Sequence, residues 1–430
     1  MSINEPRRTG MANVVTQSIL VVGGGMTGLS AAIEAAEAGR EVYLVEKNPY
    51  LGGRVAQFHQ YFPKLCPPYC GLEINFRRIR NNPKIRFFTL AEVESISGRE
   101  GDFDVSIKLN PRYVNENCTA CGKCSEACSL EIDNPFNYGM DKIKAAYLPH
   151  DMAFPMRYVL DSSLVKSPDA GKVQEACAYD AIDLTMGSSI LDLKVGSIVW
   201  ATGWKPYDAS KLDTYGFGKF PNVITNVMME RLAAFGGPTQ GKILRPSDGS
   251  APQNIAFIQC AGSRDENHLP FCSSICCMAS MKQATYIREQ YPDAKVTIFF
   301  IDIRATDRLE DFYRQAKEDQ NLRFFKGKVA KIEEDAATRN LILRVEDTTN
   351  GSLNEIPADL VVLATGMQPN TSENRVPAAV AYDDYGFVAS LDAKPGIYAA
   401  GCTRTPAGVS ESVQDGTAAA LKAIQSIARR

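Results

Sequence analysis

Histidine is almost missing from this 430-residue chain: only His59, His150 and His268 occur, which argues against a histidine-rich metal centre or a haem site. Long apolar runs are missing too. No stretch approaches the roughly 18 consecutive apolar residues of a spanning helix, and the opening MSINEPRRTGMANVV lacks the apolar core of a signal peptide. The expected location is therefore cytoplasmic. Nor is there an excess of charge of one sign, since 47 basic residues face 50 acidic ones for a net charge of -3. No broad electrostatic attraction to nucleic acid or anionic lipid follows, and no nucleic-acid partner is expected.

What the chain does have is cysteine, twelve in all, and an apolar fraction of 45%, enough for two or three domains each with its own core. In a reducing compartment these cysteines read as metal ligands or redox thiols rather than disulfides.

From Ser18 apolar runs alternate with helical patterns, the rhythm of a parallel sheet covered by helices, so the predicted class is α/β. ILVVGGGMTGLSAAIEAAEAGREVYLVEKN reads as strand, glycine turn, helix and strand. Near Pro111 the rhythm stops, and a cysteine-containing stretch runs to about Leu184 before strand-like LDLKVGSIVWATG resumes. A second α/β unit opens at NIAFIQCAGS, passes through CCMASMKQATYIREQ and VTIFFIDIR, and closes at LVVLATGMQPN. The expected domains are a first dinucleotide-binding domain built from 1–110, 185–245 and 367–430, an insert at 111–184, and a second dinucleotide-type domain at 246–366.

Gly23, Gly25 and Gly28 supply a tight turn, close approach to a pyrophosphate and close packing of helix on strand. Met26 and Thr27 lie between them, where a helix N-terminus would face phosphates with unpaired N–H groups. Glu46, about twenty residues on, can accept from both ribose hydroxyls. Gly52, Gly53 and Arg54, with the ATG turns at Ala201 and Ala364, resemble thioredoxin-reductase-like flavoproteins with two Rossmann-like domains. The resemblance implies FAD, with Lys47, Gly53, Arg54, Val93, Ala201, Thr202, Gly203, Gly401, Cys402 and Val413 also at the cofactor. One departure is visible: that class usually ends in Gly-Asp, whereas this chain has Gly401-Cys402. Backbone amides would then hold the flavin there, with Cys402 a small buried residue.

Cys118, Cys121, Cys124 and Cys128 form C-x2-C-x2-C-x3-C, ferredoxin spacing, in which three thiolates wrap one cubane and the fourth cysteine reaches another. A zinc knuckle is the alternative, although zinc sites usually pair two separated C-x2-C arms. The insert repeats itself: ACGKCSEAC at Ala120 to Cys128 recurs as DAGKVQEAC at Asp169 to Cys177, with Ser167, Ala170 and Val173 where three cysteines of a two-cluster ferredoxin would stand. The retained 4Fe-4S cluster is expected to use Cys118, Cys121, Cys124 and Cys177, leaving Cys128 an orphan of a lost one. Ligation by the four cysteines of the first motif is the alternative.

The second α/β unit lacks a glycine-rich phosphate turn, because the strand NIAFIQ runs into Cys260-Ala261-Gly262-Ser263. Cys272, Cys276 and Cys277 follow, with Cys272 and Cys276 on one helical face if the helix has begun there. By spacing alone these are a metal site or buried structural cysteines. IQCAGSRD…FCSSICCMASMKQA resembles the flavin subunits of heterodisulfide reductases, which implies that Cys260, Cys272, Cys276 and Cys277 ligate a second 4Fe-4S cluster near the FAD. Lys282 matches a lysine of that family close to the flavin, and so is a candidate catalytic residue. A solvated helix lysine reads equally well.

With the insert and the segment FPKLCPPYCGLEINFRRIR, the chain also resembles the A-type subunits of quinone-interacting membrane-bound oxidoreductase complexes, relatives of that family. The resemblance implies an FAD and iron–sulfur protein beside a second flavin/iron–sulfur subunit, together with a haem-bearing membrane subunit. It would link the quinone pool to adenylylsulfate reductase in sulfur metabolism, and meet the membrane only through its partners. Cys66 and Cys70 stay unassigned. Two other functions compete: the flavin subunit of an electron-bifurcating heterodisulfide reductase, and a pyridine-nucleotide-dependent disulfide reductase. The first differs in partners and in extra ferredoxin-like modules, for which this chain is expected to be too short. The second needs a C-x2-C redox pair in the second domain and a second glycine fingerprint, and neither is present.

Overall fold

The computed structural model describes residues 16–306 and 308–428. Its first sheet is built on the strand Ser18–Val22, whose five residues SILVV are all buried, as befits a parallel strand covered on both faces. Glu41–Glu46 and then Ile85–Thr89 lie to one side of it, and Ser197–Trp200 and Ile397–Ala399 to the other, all parallel, with Asp392–Lys394 as an antiparallel edge. The helix Met26–Glu37 packs against the last helix, Val409–Ala428. Their backbones come close because glycine stands at the contact: a Cβ on Gly416 would lie 2.4 Å from the Thr27 carbonyl oxygen.

The chain leaves this layer through an antiparallel sheet of Ala91–Arg99, Asp102–Leu109 and Ser189–Val195. The insert hangs between Leu109 and Ser189, with two hairpins, Glu131–Asp133 with Lys142–Lys144 and Ala146–Tyr147 with Val159–Leu160. Its short helices Lys123–Ala127 and Ala170–Glu175, the two halves of the sequence repeat, pack on each other. Asp169 ties the halves together, accepting from the N–H groups of Ser129 (2.7 Å) and Leu130 (3.1 Å).

A second sheet runs Val223–Thr225, Leu360–Thr365, Asn254–Ala261, Lys295–Phe300, Leu322–Glu334, Leu341–Asp347, Leu353–Ala358; its first five strands are parallel. The helices Cys276–Gln290 and Asn226–Ala233 pack on it. The crossing between the layers is a two-stranded ribbon, Trp204–Pro206 against Met367–Pro369. The stretch 185–245, read from sequence as part of the first domain, therefore changes layer near Pro206, well before 245. The reason is non-local: the three residues Val223–Thr225 are placed by pairing with a strand far along the chain. Among the described residues no helix is long and apolar enough to cross a membrane.

Candidate functional site

The glycine turn closes by contacts that only hydrogen can fill. Gly23 has φ +110°, and a Cβ there would lie 2.2 Å from the Ala201 carbonyl oxygen; one on Gly28 would lie 1.8 Å from the Gly23 carbonyl oxygen. Gly28 therefore does not face the cleft but sets the helix tight on the strand. A Cβ on Gly203, by contrast, would meet nothing within 4 Å, and one on Gly25 would make only an ordinary contact with the Gly53 Cα at 3.8 Å. Glu46 closes the other side, its carboxylate accepting from Gly24 N at 2.6 Å and from the backbone and side-chain amides of Asn48 at 2.8 and 2.7 Å. Burial pushes the Glu46 carboxyl up from its ordinary range, against these hydrogen bonds.

From this turn a cleft of about 1390 Å³ runs between the layers, above the ~300–1,000 Å³ of most ligand pockets and roomy enough for a dinucleotide. Gly23, Gly25, Met26, Thr27, Glu46, Lys47, Gly53, Arg54, Val93, Ala201, Thr202, Gly203, Cys402 and Lys282 all line it. Gly401 and Val413 do not. Gly401 instead donates its N–H to Asp415 at 2.6 Å, and Asp415 also holds Arg404. Asp415 thus ties down the turn where the usual Gly-Asp is missing, from a position further along the chain. Cys402 is buried, its thiol donating to the Ala407 carbonyl. Arg54 donates to the Trp204 carbonyl at 2.6 Å and to the Tyr138 hydroxyl at 3.1 Å.

Lys282 is not a solvated helix lysine. It is buried, 2.9 Å from the equally buried Glu230, and donates to the Gln60 carbonyl. Glu230 also accepts from Gln283 at 2.7 Å and from His59 N at 2.9 Å. Its neighbour Arg231 donates to Asn137 (2.7 Å) and to the Gln57 carbonyl (3.1 Å). Sequence reading misses Glu230 and Arg231. Two adjacent opposite charges in VMMERL look like an ordinary helix surface, and only tertiary packing buries them.

In the insert, Cys118, Cys121, Cys124 and Cys177 line one small pocket with Val114, Tyr158 and Ile182. Cys128 does not. It is 2% exposed within the apolar core of the insert, beside Val173, so the region of the second half's motif is filled by packing. Burial pushes the Cys124 thiol up to about 12, with Cys118 and Cys121 adding to the effect. Among the described residues no three Cys, His, Asp or Glu side chains gather as one metal ion would require. A cubane takes each thiolate on a different iron, so its ligands surround a volume rather than a point, and the four thiols around this pocket suit it better than zinc.

The second thiol group stands at the C-terminal edge of the second sheet. The strand Asn254–Ala261 bulges at its end, where Cys260 has φ +57°. No helix opens after the following glycine; a loop carrying Cys272 intervenes, and the helix starts only at Cys276. Cys272 therefore precedes the helix, and the expectation that it shares a helical face with Cys276 does not hold. Burial pushes the Cys276 thiol up, and Cys260, Cys277 and Cys272 push it further. Cys260 is likewise pushed up to about 11, by burial first, although Arg264 opposes the shift. Cys276 and Cys277 are buried while Cys260 and Cys272 are partly exposed, and a set of neighbouring thiols of this kind suits an iron core whose positive charge would stabilise them as thiolates. Buried polar groups of Gln259 and Ser263 beside Cys260 find no partner. Ser274, Ile275 and Met278, between and beyond these cysteines, line the cleft. Cys66 pairs with Tyr61 through the backbone and Cys70 is exposed on the helix Pro68–Asn81; neither joins a thiol group here.

Residues 18–64 match the family described as FAD dependent oxidoreductase. The chain is 40% identical over 427 residues to an A-type iron–sulfur subunit of CoB--CoM heterodisulfide reductase from Methanopyrus kandleri, covering 96% of this chain and 65% of that protein. It is 38% identical to the corresponding CoB--CoM heterodisulfide reductase protein of Methanocaldococcus jannaschii, covering 94% and 64%. The chain thus spans just under two thirds of the length of these relatives. Among solved structures it is similar to thioredoxin reductase of Lactococcus lactis, with a TM-score of 0.54 at 13% identity, covering 96% of this chain and all of that one. At that identity the likeness shows the fold, which is the thioredoxin-reductase-like arrangement of two Rossmann-like layers.

Proposed function

The chain is a homologue of the A-type iron–sulfur subunits of heterodisulfide reductases over nearly its whole length, and from that premise we propose that it is an FAD and iron–sulfur electron-transfer subunit of an oxidoreductase complex. One observation carries the reading. Where a nicotinamide enzyme would have its second phosphate turn, this chain gathers the thiols of Cys260, Cys272, Cys276 and Cys277, and the segment that joins them lines the cleft of the glycine fingerprint.

FAD would lie along that cleft, with its pyrophosphate at Gly23–Thr27 and a ribose at Glu46. One 4Fe-4S cluster would sit on Cys118, Cys121, Cys124 and Cys177, and a second on the later four cysteines. Bound flavin supplies the exchange between paired and single electrons, and the clusters supply a one-electron path. The protein's own part is to hold Lys282 and Glu230 beside the cleft as a fixed charge pair, to keep water from the buried thiols, and to leave no cradle for a nicotinamide dinucleotide.

The relatives carry heterodisulfide reductase names, which favours partners of that type over a quinone-linked complex. The finer reading, with a haem-bearing membrane subunit, the quinone pool and adenylylsulfate reductase, rests on the sequence resemblance alone. Purification from native membranes and cytosol separates the two readings. Recovery with heterodisulfide-reductase-type subunits supports the first, and recovery with a haem-bearing membrane subunit supports the second. The electron-transfer role itself is tested by stopped-flow: a low-potential one-electron donor should bleach the flavin band, and NADPH should not. Bleaching by NADPH within seconds would return the chain to the pyridine-nucleotide reductases.

A further inference from the structure

Gln259 is buried, and neither its amide nitrogen nor its amide oxygen has a hydrogen-bond partner. A buried amide without partners is costly enough that each instance requires a cause. Its direction can be read from the strand. Ile255 and Phe257 pack in one layer with Met278 and Met281, from the helix that begins at Cys276, whereas Ala256 and Ile258 pack in the opposite layer with Val361 and Leu363. Side chains alternate along a strand, so Gln259 falls on the helix-facing side.

Its level along the sheet follows from the register. Ile258 pairs with Leu363 and Ala261 with Thr365, so Gln259 and Cys260 form a bulge opposite Ala364. The Cys276 thiol lies 3.7 Å from the carbonyl oxygen of Thr365, the next residue. The orphan amide thus shares a face and a level with Cys276, and Cys260 adjoins it in the chain. A second orphan marks the same region: the hydroxyl of Ser280, fully buried, lies one helical turn beyond Cys276 and also has no partner.

We propose that the Gln259 side-chain N–H donates to a sulfur, thiolate or sulfide, of the cluster held by Cys260, Cys272, Cys276 and Cys277, and so raises that cluster's reduction potential. The proposal rests on the reading of those four cysteines as cluster ligands. The sign follows from charge: a reduced cluster is the more negative form, and a donor at sulfur stabilises it. Gln259 is therefore a tuning residue, setting how readily this cluster takes an electron from the cleft side.

The test uses the full chain purified without oxygen. Gln259→Met keeps the length and volume of the side chain but removes the donor. In an EPR-monitored redox titration, one cluster of the variant should change its ratio of reduced to oxidised form at fixed potential by about tenfold toward oxidised, a shift of about 59 mV for one electron. The other cluster should not move, and iron content should equal that of wild type. In wild-type protein labelled with 15N in the glutamine side-chain amide, pulsed EPR should show nitrogen coupling to the second cluster; this readout stands even where the variant fails to fold. Full iron content with an unmoved potential, or no nitrogen coupling in the wild type, overturns the role of Gln259. Wild-type protein with only the insert's cluster overturns the second cluster and the proposal together, and that outcome is distinguished by its lower iron count.

Discussion

The ammonium of Lys282 lies 2.9 Å from the carboxylate of Glu230, and both are almost fully withdrawn from solvent. The pair joins the layers, since Glu230 and Lys282 stand on helices of the second sheet while His59 and Gln60, which bond to them, belong to the first domain's loop. Removing one partner strands the other as a buried, unpaired charge, at a cost of about 3–5 kcal/mol, whereas apolar replacement of both often costs little. Glu230→Leu and Lys282→Met should each lower the thermal unfolding midpoint sharply, and the double variant should be more stable than either. A double variant whose loss equals the sum of the single losses would show that the two do not act as a pair.

Gly28 offers a sharp test of the glycine turn. Alanine there would put a Cβ 1.8 Å from the Gly23 carbonyl oxygen, so the helix must move off the strand and away from the pyrophosphate position. Gly28→Ala should yield folded protein with little FAD on acid extraction and chromatography. Full flavin content in this variant would contradict the assignment of the turn.

The insert makes a prediction that separates its two possible ligand sets. Cys177 lines the pocket of Cys118, Cys121 and Cys124, while Cys128 lies in the apolar core. Cys177→Ser should lose about half the iron, one of two four-iron clusters. Cys128→Ser should keep nearly all of it and show mainly a lower thermal stability, because a hydroxyl then replaces a thiol in an apolar setting. Iron loss in Cys128→Ser with none in Cys177→Ser would favour ligation within the first motif.

His150 stacks on Phe136 with ring centroids 4.7 Å apart and meets Tyr50 edge-on, and burial, with Arg231 adding to it, lowers its pKa to about 4. The unfolded chain binds this proton near 6.5, the folded chain only near 4, so the stabilisation is complete above about 6.5 and is lost as pH falls toward 4. Its size is on the order of 3 kcal/mol. Urea unfolding across that window should show the decline, and His150→Phe should reduce its slope. An unchanged slope would show that His150 does not contribute.

The parts legible in the sequence are those whose meaning is local. Gly23, Gly25, Gly28 and Glu46 belong to one strand–turn–helix–strand unit, and the repeat ending in Cys128 and Cys177 can be aligned by eye. Other parts depend on residues far apart. Glu230 is placed by Lys282, and Asp415 by Gly401. The strand Val223–Thr225 has too few residues to show a period and is placed by Val361–Leu363. Four-residue spacing makes Cys272 look helical, but the loop holds it outside the helix, where the Ser274 N–H donates to its sulfur at 3.3 Å.

The most direct measurement is the iron, acid-labile sulfide and flavin content of the full chain, purified without oxygen. About eight iron, eight sulfide and one FAD per chain are expected if both thiol groups carry 4Fe-4S clusters beside one flavin. Folded protein that carries zinc in place of iron, or no flavin, would contradict the electron-transfer reading at its root.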